Sequence, residues 1–159
     1  MTLAVDVIKK MTQRSVTLAT CESLTGGGIG AALTSVPGAS AVYRGSLVTY
    51  ARELKSTLAG VDEELIATEG VVNELTALQM ARGAQARCDA DWAVATTGVA
   101  GPTETDGASV GTVWFAVVGP RVGMSDAPTY TELKQFSGDR EAIREQAVEH
   151  AFAMLLRVL

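Results

Sequence analysis

Short apolar runs alternate along the chain with segments whose apolar residues recur at helical spacing. Runs rich in β-branched residues predict strands, and these lie at 16–20, 41–50, 91–98, 110–118 and 130–136. Spacing of three or four residues, bounded by glycine, proline or asparagine, predicts helices, and these lie at 2–13, 26–34, 51–60, 61–70, 72–88 and 139–159. Because no linker or repeat interrupts the alternation, residues 1–159 are predicted to form a single α/β domain, with helices on both faces of one central sheet.

The last predicted helix carries an apolar stripe that needs a surface to pack against. Its members are Ile143, Ala147, Ala151, Met154 and Leu155. Only 19% of all residues are charged, whereas 47% are hydrophobic. The stripe and this apolar excess together predict that some surface is buried between subunits, and hence a homodimer or a larger homo-oligomer.

Charge and cysteine content exclude several classes of function. The net charge is −5 and no block of lysine and arginine occurs, which argues against a nucleic-acid partner. No apolar run approaches the roughly 18 residues that span a bilayer, and the order of basic and apolar residues at the start is opposite to that of a signal peptide. We therefore expect a cytoplasmic protein without a membrane partner. Cys21 and Cys88 are too few for a disulfide framework or a zinc site, and Cys21 is predicted to pack in the core.

The stretch TCESLTGGGIG, residues 20–30, is a polar corner between a predicted strand and a helix that opens with glycines. Ser23 in this corner has two interpretations. A serine before a helix is usually its N-cap, but Thr25 is also available to cap, which leaves Ser23 free to act as a nucleophile. Gly26 and Gly27 either serve the turn alone or let backbone N–H groups approach a phosphate or an oxyanion. The run is a weak signal because it fits neither the GxGxxG nor the Walker A pattern.

A serine nucleophile needs a base. His150 is the chain's one histidine and lies inside the last predicted helix on no recognisable motif, so a Ser-His-Asp triad is disfavoured. A lysine made neutral by burial can serve instead, and Lys55 lies one helical turn past Tyr50 in TYARELK. Both residues also fit ordinary roles, Lys55 as a solvated surface group and Tyr50 as part of the core.

Four motifs in the right order carry a resemblance to a known family: ES-x-TGG, VTY-x4-K, TG-x-AGP and a late GDR. With them the chain, after about residue 14, resembles the CinA C-terminal domain family, the bacterial nicotinamide-nucleotide amidases. The resemblance implies a three-layer α/β/α domain, usually dimeric, that works without a metal or other cofactor. The implied reaction, part of the pyridine nucleotide cycle of NAD metabolism, converts nicotinamide mononucleotide (NMN) and water to nicotinate mononucleotide and ammonia.

The resemblance also implies roles for individual residues. It makes Ser23 the nucleophile, Lys55 the general base and Tyr50 a residue that assists the pair. Ser40, in PGAS, matches a serine of the oxyanion region. Arg140, at the start of the last helix, suits a phosphate group, with a solvated arginine as the alternative. The residues implied to bind the substrate are Thr25, Gly26, Gly27, Ser40, Thr97, Gly98, Ala100, Gly101 and Arg140.

Three departures from the family pattern bear on activity and substrate preference. Leu24 stands where the family usually has cysteine, Asn73 where it often has serine, and the loop 103–109 carries the acidic Glu104 and Asp106. The acidic loop brings negative charge towards a phosphorylated ligand. Because the Leu24 change lies directly beside Ser23, a catalytically silent nucleotide-binding or assembly module of the same fold is the alternative function. In either case we expect the standalone form of the domain, without the further domain of about 250 residues that two-domain relatives carry.

Overall fold

Strands and helices alternate along residues 2–159, the part of the chain that the computed structural model describes. The strands are β1 Leu18–Glu22, β2 Tyr43–Val48, β3 Trp92–Gly98, β4 Thr112–Val118 and β5 Thr129–Gln135. The helices are α1 Thr2–Arg14, α2 Gly28–Thr34, α3 Arg52–Thr57, α4 Glu63–Glu69, α5 Glu74–Cys88 and α6 Arg140–Val158. Each predicted element is present, and a one-turn 3₁₀ helix at Ala39–Ala41 was not predicted.

The five strands form one mixed sheet in the order β2-β1-β3-β4-β5. β1 pairs in parallel with both β2 and β3, whereas the pairs β3–β4 and β4–β5 are antiparallel. In this register Glu22, at the end of β1, lies beside Val48 on one side and Thr96 on the other. β1, β2 and β3 therefore end together at one edge of the sheet, here called the carboxyl edge, which is where α/β folds bind ligands.

Helices cover both faces of this sheet. α1, α2 and α6 pack on one face around large side chains such as Leu18, Phe115 and Phe152. α5 packs on the other face, where the contacts are mostly between alanines and allow a close approach; they include Ala77, Ala81, Ala84, Ala93 and Ala95. The central strands are apolar on both faces because both faces are covered. The predicted three-layer α/β/α arrangement is confirmed.

The apolar stripe of α6 is buried inside the protomer. Its five members are at most 1% exposed, and α6 packs against α1, α2, β3 and β4. The inference that this stripe lies in a subunit contact is therefore wrong, because the chain's own core already covers it. A homo-oligomer stays a prediction that now rests on the low charged fraction and on the resemblance to a family that is usually dimeric.

Polar residues mark the end of β1 and the start of α5. β1 begins at Leu18 and ends at Glu22, two residues later than the predicted 16–20, so a glutamate forms the end of a fully buried strand. Asn73 caps α5 as expected, since its side chain accepts the Thr76 N–H at 2.8 Å.

In residues 2–159 no helix is long and apolar enough to cross a membrane.

Candidate active site

A cleft of about 420 Å³ opens at the carboxyl edge of the sheet. Its walls come from the segments that follow β1, β2 and β3 and from the start of α6. Most of the predicted site residues line it, namely Ser23, Tyr50, Lys55, Thr97, Gly98, Ala100, Gly101 and Arg140. Thr25, Gly26, Gly27 and Ser40 do not line it. Residues from four distant parts of the sequence thus meet in one cavity.

Ser23 and Lys55 contact each other at the floor of this cleft. Lys55 Nζ donates a hydrogen bond to Ser23 Oγ at 3.0 Å. The same Nζ donates to the carbonyl oxygens of Thr49 at 2.7 Å and Tyr50 at 3.5 Å, which hold the amine in place. Lys55 is only 1% exposed and Ser23 only 8%. A hydroxyl and an amine within hydrogen-bond reach are the geometry required of a nucleophile and its base.

The pKa of Lys55 is lowered from its ordinary value to about 8, chiefly because burial disfavours the charged amine. The positive charge of Arg52 also lowers this pKa, whereas Cys21, Asp106 and Glu53 raise it. A lysine in this range is partly neutral near neutral pH. Its free electron pair can then accept the Ser23 proton, which a fully protonated lysine cannot do. The interpretation of Lys55 as a solvated surface group is therefore wrong.

The pH dependence of turnover should report this lysine. Because a general base must be neutral to accept a proton, an enzyme in which Lys55 serves Ser23 is expected to show kcat/KM rising with pH and levelling off above an apparent pKa of about 8. The measurement is initial rates over a range of substrate concentrations from about pH 6 to about pH 10, because kcat/KM reports the pKa values of the free enzyme. A profile that is flat or that falls across this range would contradict a neutral Lys55 base.

The turn after Ser23 is built by backbone hydrogen bonds and left-handed glycines. Ser23 N–H donates to Thr96 O at 3.2 Å, and Ser23 O accepts the Gly26 N–H at 3.0 Å. Gly26 and Gly27 have φ angles of +60° and +96°, which residues with a side chain rarely adopt. The prediction that these glycines approach the ligand is therefore not supported, since they lie outside the cleft and serve the turn.

Neither Ser23 nor Thr25 caps α2. The N-cap position is Gly27, which has no side chain to cap with, and Thr25 Oγ1 instead contacts Thr96 Oγ1 at 3.0 Å. The first N–H groups of α2 are bound by the carboxylate of Glu22, a residue that sequence reasoning missed. A charged residue at the end of an apolar run was the available signal.

Arg140 and Tyr50 form one wall of the cleft together. The Arg140 guanidinium donates to Gly101 O at 2.6 Å and to the Tyr50 hydroxyl at 2.9 Å. Tyr50 is 60% exposed, so it is not a core residue. Its hydroxyl contacts Arg140, and it reaches Lys55 only through its carbonyl. Thr97, behind this wall, donates to Val71 O at 2.6 Å.

Ser40 and His150 lie away from the cleft. Ser40 is exposed in the 3₁₀ turn before β2, among Pro37 and Tyr43. The turn leads into the amino end of β2, whereas the cleft is at the carboxyl edge, so the predicted oxyanion role for Ser40 finds no support within the protomer. His150 contacts Glu132 at 2.7 Å on β5 and has no part in the cleft.

Cys21 lies in the core, and the described residues hold no cluster of metal ligands. Cys21 is buried in the α5-facing core as predicted, and burial raises the pKa of its thiol to about 12. Within residues 2–159, no three His, Cys, Asp or Glu side chains gather closely enough to hold a metal ion. Independence from a metal stays a prediction.

A sequence model of the CinA C-terminal domain matches residues 1–159. The chain belongs to this family. It is 44% identical over 96% of its length to a CinA-like protein of Frankia casuarinae, of which it spans 34%. It is 40% identical over 98% of its length to the nicotinamide-nucleotide amidohydrolase PncC of Escherichia coli K12, of which it spans 92%. The chain thus spans about a third of some CinA relatives and almost the whole of others.

Solved structures of CinA superfamily members have the same fold. The Escherichia coli protein superposes with a TM-score of 0.92 at 33% identity, covering 99% of this chain and 88% of that one. The Klebsiella pneumoniae competence damage-inducible protein A superposes with a TM-score of 0.91 at 35% identity, covering 97% of this chain and 92% of that one.

The residues in which this CinA domain departs from the family pattern do not disturb the Ser23–Lys55 contact. Leu24 is 3% exposed; it packs in the hydrophobic core and also lines the cleft. Asp106 pairs with Arg52 at 2.7 Å and accepts the Val71 N–H at 3.0 Å. Of the two acidic residues expected beside the ligand, Asp106 is thus paired with Arg52, which lines the cleft, and Glu104 is exposed.

Proposed function

We propose that the chain hydrolyses the carboxamide of NMN, giving nicotinate mononucleotide and ammonia. The observation that carries this proposal is the buried contact between Ser23 Oγ and Lys55 Nζ at the base of the cleft. Relatives that match nearly the full chain and are named nicotinamide-nucleotide amidohydrolase support the choice of substrate. The product, nicotinate mononucleotide, would re-enter the pyridine nucleotide cycle.

The proposed reaction proceeds in two halves through one covalent ester. Neutral Lys55 takes the Ser23 proton as Oγ attacks the carboxamide carbon, and the protonated amine then gives that proton to the departing ammonia. Water next attacks the ester carbonyl, with Lys55 again accepting a proton. Nicotinate mononucleotide leaves and Ser23 Oγ regains its proton, so atoms and charges balance over the cycle.

The cleft also supplies groups for the oxyanion and the phosphate. The Leu24 N–H follows the nucleophile directly and has no backbone acceptor within residues 2–159, so it is available to a developing oxyanion. Arg140 and Arg52 are cations on the cleft wall and suit the phosphate of a mononucleotide. Arg140 is the better placed of the two because Arg52 is already paired with Asp106.

Ammonia release from NMN by the purified chain tests the proposal, and Arg140→Ala tests the phosphate contact. We expect Arg140→Ala to raise KM for NMN about 10- to 100-fold, the scale of one charge-assisted hydrogen bond or two. The effect should be much smaller with nicotinamide riboside, which has the same carboxamide and no phosphate. Arg87→Ala is the matched control, because Arg87 is an exposed arginine of α5 outside the cleft, and it should leave KM unchanged. An equal effect on both substrates would mean that Arg140 only shapes the cleft, through its contacts with Gly101 and Tyr50, and does not bind the phosphate.

The silent-module alternative is not favoured. It rested on the change at Leu24 beside the nucleophile, yet Ser23 and Lys55 keep a contact suited to proton transfer. A silent module would bind NMN without releasing ammonia, so the same assay separates the two functions.

A further inference from the structure

Glu22 is a buried acid that the proposed mechanism leaves without a role. It is 0% exposed and directly precedes Ser23. Its Oε1 accepts the Ile29 N–H at 2.8 Å, and its Oε2 accepts the Gly30 N–H at 3.0 Å. Oε2 also accepts hydrogen bonds from Thr20 Oγ1 at 3.1 Å and Ser46 Oγ at 3.3 Å. Four donors thus converge on one carboxylate.

This arrangement makes Glu22 the cap of a helix that begins six residues later. An N-cap side chain ordinarily binds the N–H groups of the second and third helical residues, which in α2 are Ile29 and Gly30. Gly27 at the N-cap position cannot do so. A carboxylate also suits the positive end of the helix. Glu22 therefore joins the end of β1 to the start of α2, across the turn that holds Ser23.

The close approach of α2 to this carboxylate depends on Gly30. A Cβ at Gly30 would lie 2.4 Å from the Tyr43 hydroxyl and 3.6 Å from Glu22 Oε2. The Tyr43 hydroxyl contacts Thr20 Oγ1 at 3.1 Å, on the same polar cluster. Burial of a carboxylate without a cationic partner costs free energy. Two of the four donors that offset this cost, the Ile29 and Gly30 N–H groups, also fix where α2 begins.

We propose that Glu22 is a positioning residue for the Ser23 nucleophile. Its carboxylate holds the start of α2 against the end of β1, so that Ser23 Oγ stays within hydrogen-bond distance of Lys55 Nζ. The backbone supports the same link from the β2 side, because Glu22 O accepts the Thr49 N–H at 2.9 Å and Thr49 O in turn accepts from Lys55. Both members of the pair are thus held by groups of Glu22. The inference rests on the proposed role of Ser23.

The test uses Glu22→Gln and Glu22→Asp in the full chain. The glutamine has one acceptor oxygen for two N–H groups, and the aspartate keeps the charge on a shorter side chain. For both we expect kcat to fall about 10²-fold, the scale of a misplaced reacting group, with KM for NMN near the wild-type value. Labelling of Ser23 by phenylmethanesulfonyl fluoride, followed by intact mass, should slow in parallel. Where Glu22→Gln does not fold, Glu22→Asp decides.

Thr20→Val and Ser46→Ala are the matched controls, since each removes another donor to the same carboxylate but leaves the α2 contacts. We expect both to lower the melting temperature while kcat and the labelling rate stay near wild type. The proposal is overturned if folded Glu22 variants behave like these controls. A wild-type chain that is labelled at Ser23 but releases no ammonia from NMN would contradict the proposed function alone, because the labelling rates still test Glu22.

Discussion

Ser23→Ala is expected to reduce ammonia release from NMN by about 10⁴-fold or more, the usual consequence of removing a catalytic nucleophile. The variant should fold and bind NMN normally, because Ser23 Oγ contacts Lys55 Nζ and caps no helix. The proposed phosphate contacts lie on Arg140, away from the substitution. The measurements are ammonia release, NMN affinity by calorimetry and the melting temperature.

Ser35→Ala is the matched control for this prediction. Ser35 is an exposed serine at the end of α2 whose hydroxyl donates to Ala31 O at 2.9 Å. Its loss should leave turnover unchanged. If Ser23→Ala instead retained turnover and lost about 1 kcal/mol of stability, as when a helix cap is removed, Ser23 would have no part in the chemistry.

Lys55→Met is expected to lower kcat by at least about 10²-fold, the contribution of a positioned general base. Methionine fills nearly the same volume, and it removes an amine whose burial disfavours the charged form. The variant should therefore fold, and it should lose the rise of kcat/KM with an apparent pKa of about 8. Lys9→Met, at an exposed position of α1, is the control and should leave both the rate and the pH profile unchanged.

A Lys55→Met enzyme with wild-type turnover would remove Lys55 from the mechanism. A variant that lost activity together with NMN affinity would assign Lys55 to binding. The two outcomes are separated by measuring affinity and single-turnover rate on the same preparation.

Strand and helix patterns were sufficient to predict the fold, since each element carries its own local signal. The layer arrangement agrees with β1 and β3, which are buried on both faces. A local sequence pattern does not show, however, which surface an apolar stripe packs against. The α6 stripe therefore predicted a buried surface correctly but placed it wrongly between subunits.

The sequence predicted a residue's place in the site only where that place follows from the residue's position relative to a strand. Ser23 and Thr97 lie at the carboxyl edge because they follow or end strands, and Ser40 does not because it precedes one. The contact between Ser23 and Lys55 joins residues 32 positions apart, so no periodicity indicates it, and the family resemblance supplied that pairing. Glu22 was missed because a residue six positions before a helix matches no capping pattern, and the charge at the end of the apolar run does not indicate what it binds.

The two parts of the cleft come from separate stretches of the chain. Residues 22–55 supply the nucleophile, its base and the turn between them, whereas residues 97–105 and Arg140 supply most of the surrounding wall. Substitutions in the later stretches can reshape the cavity without moving the reacting pair. For the proposed amidase, changes in these later stretches, the 103–109 loop included, are expected to alter which amides fit the cavity while the Ser23–Lys55 contact stays in place.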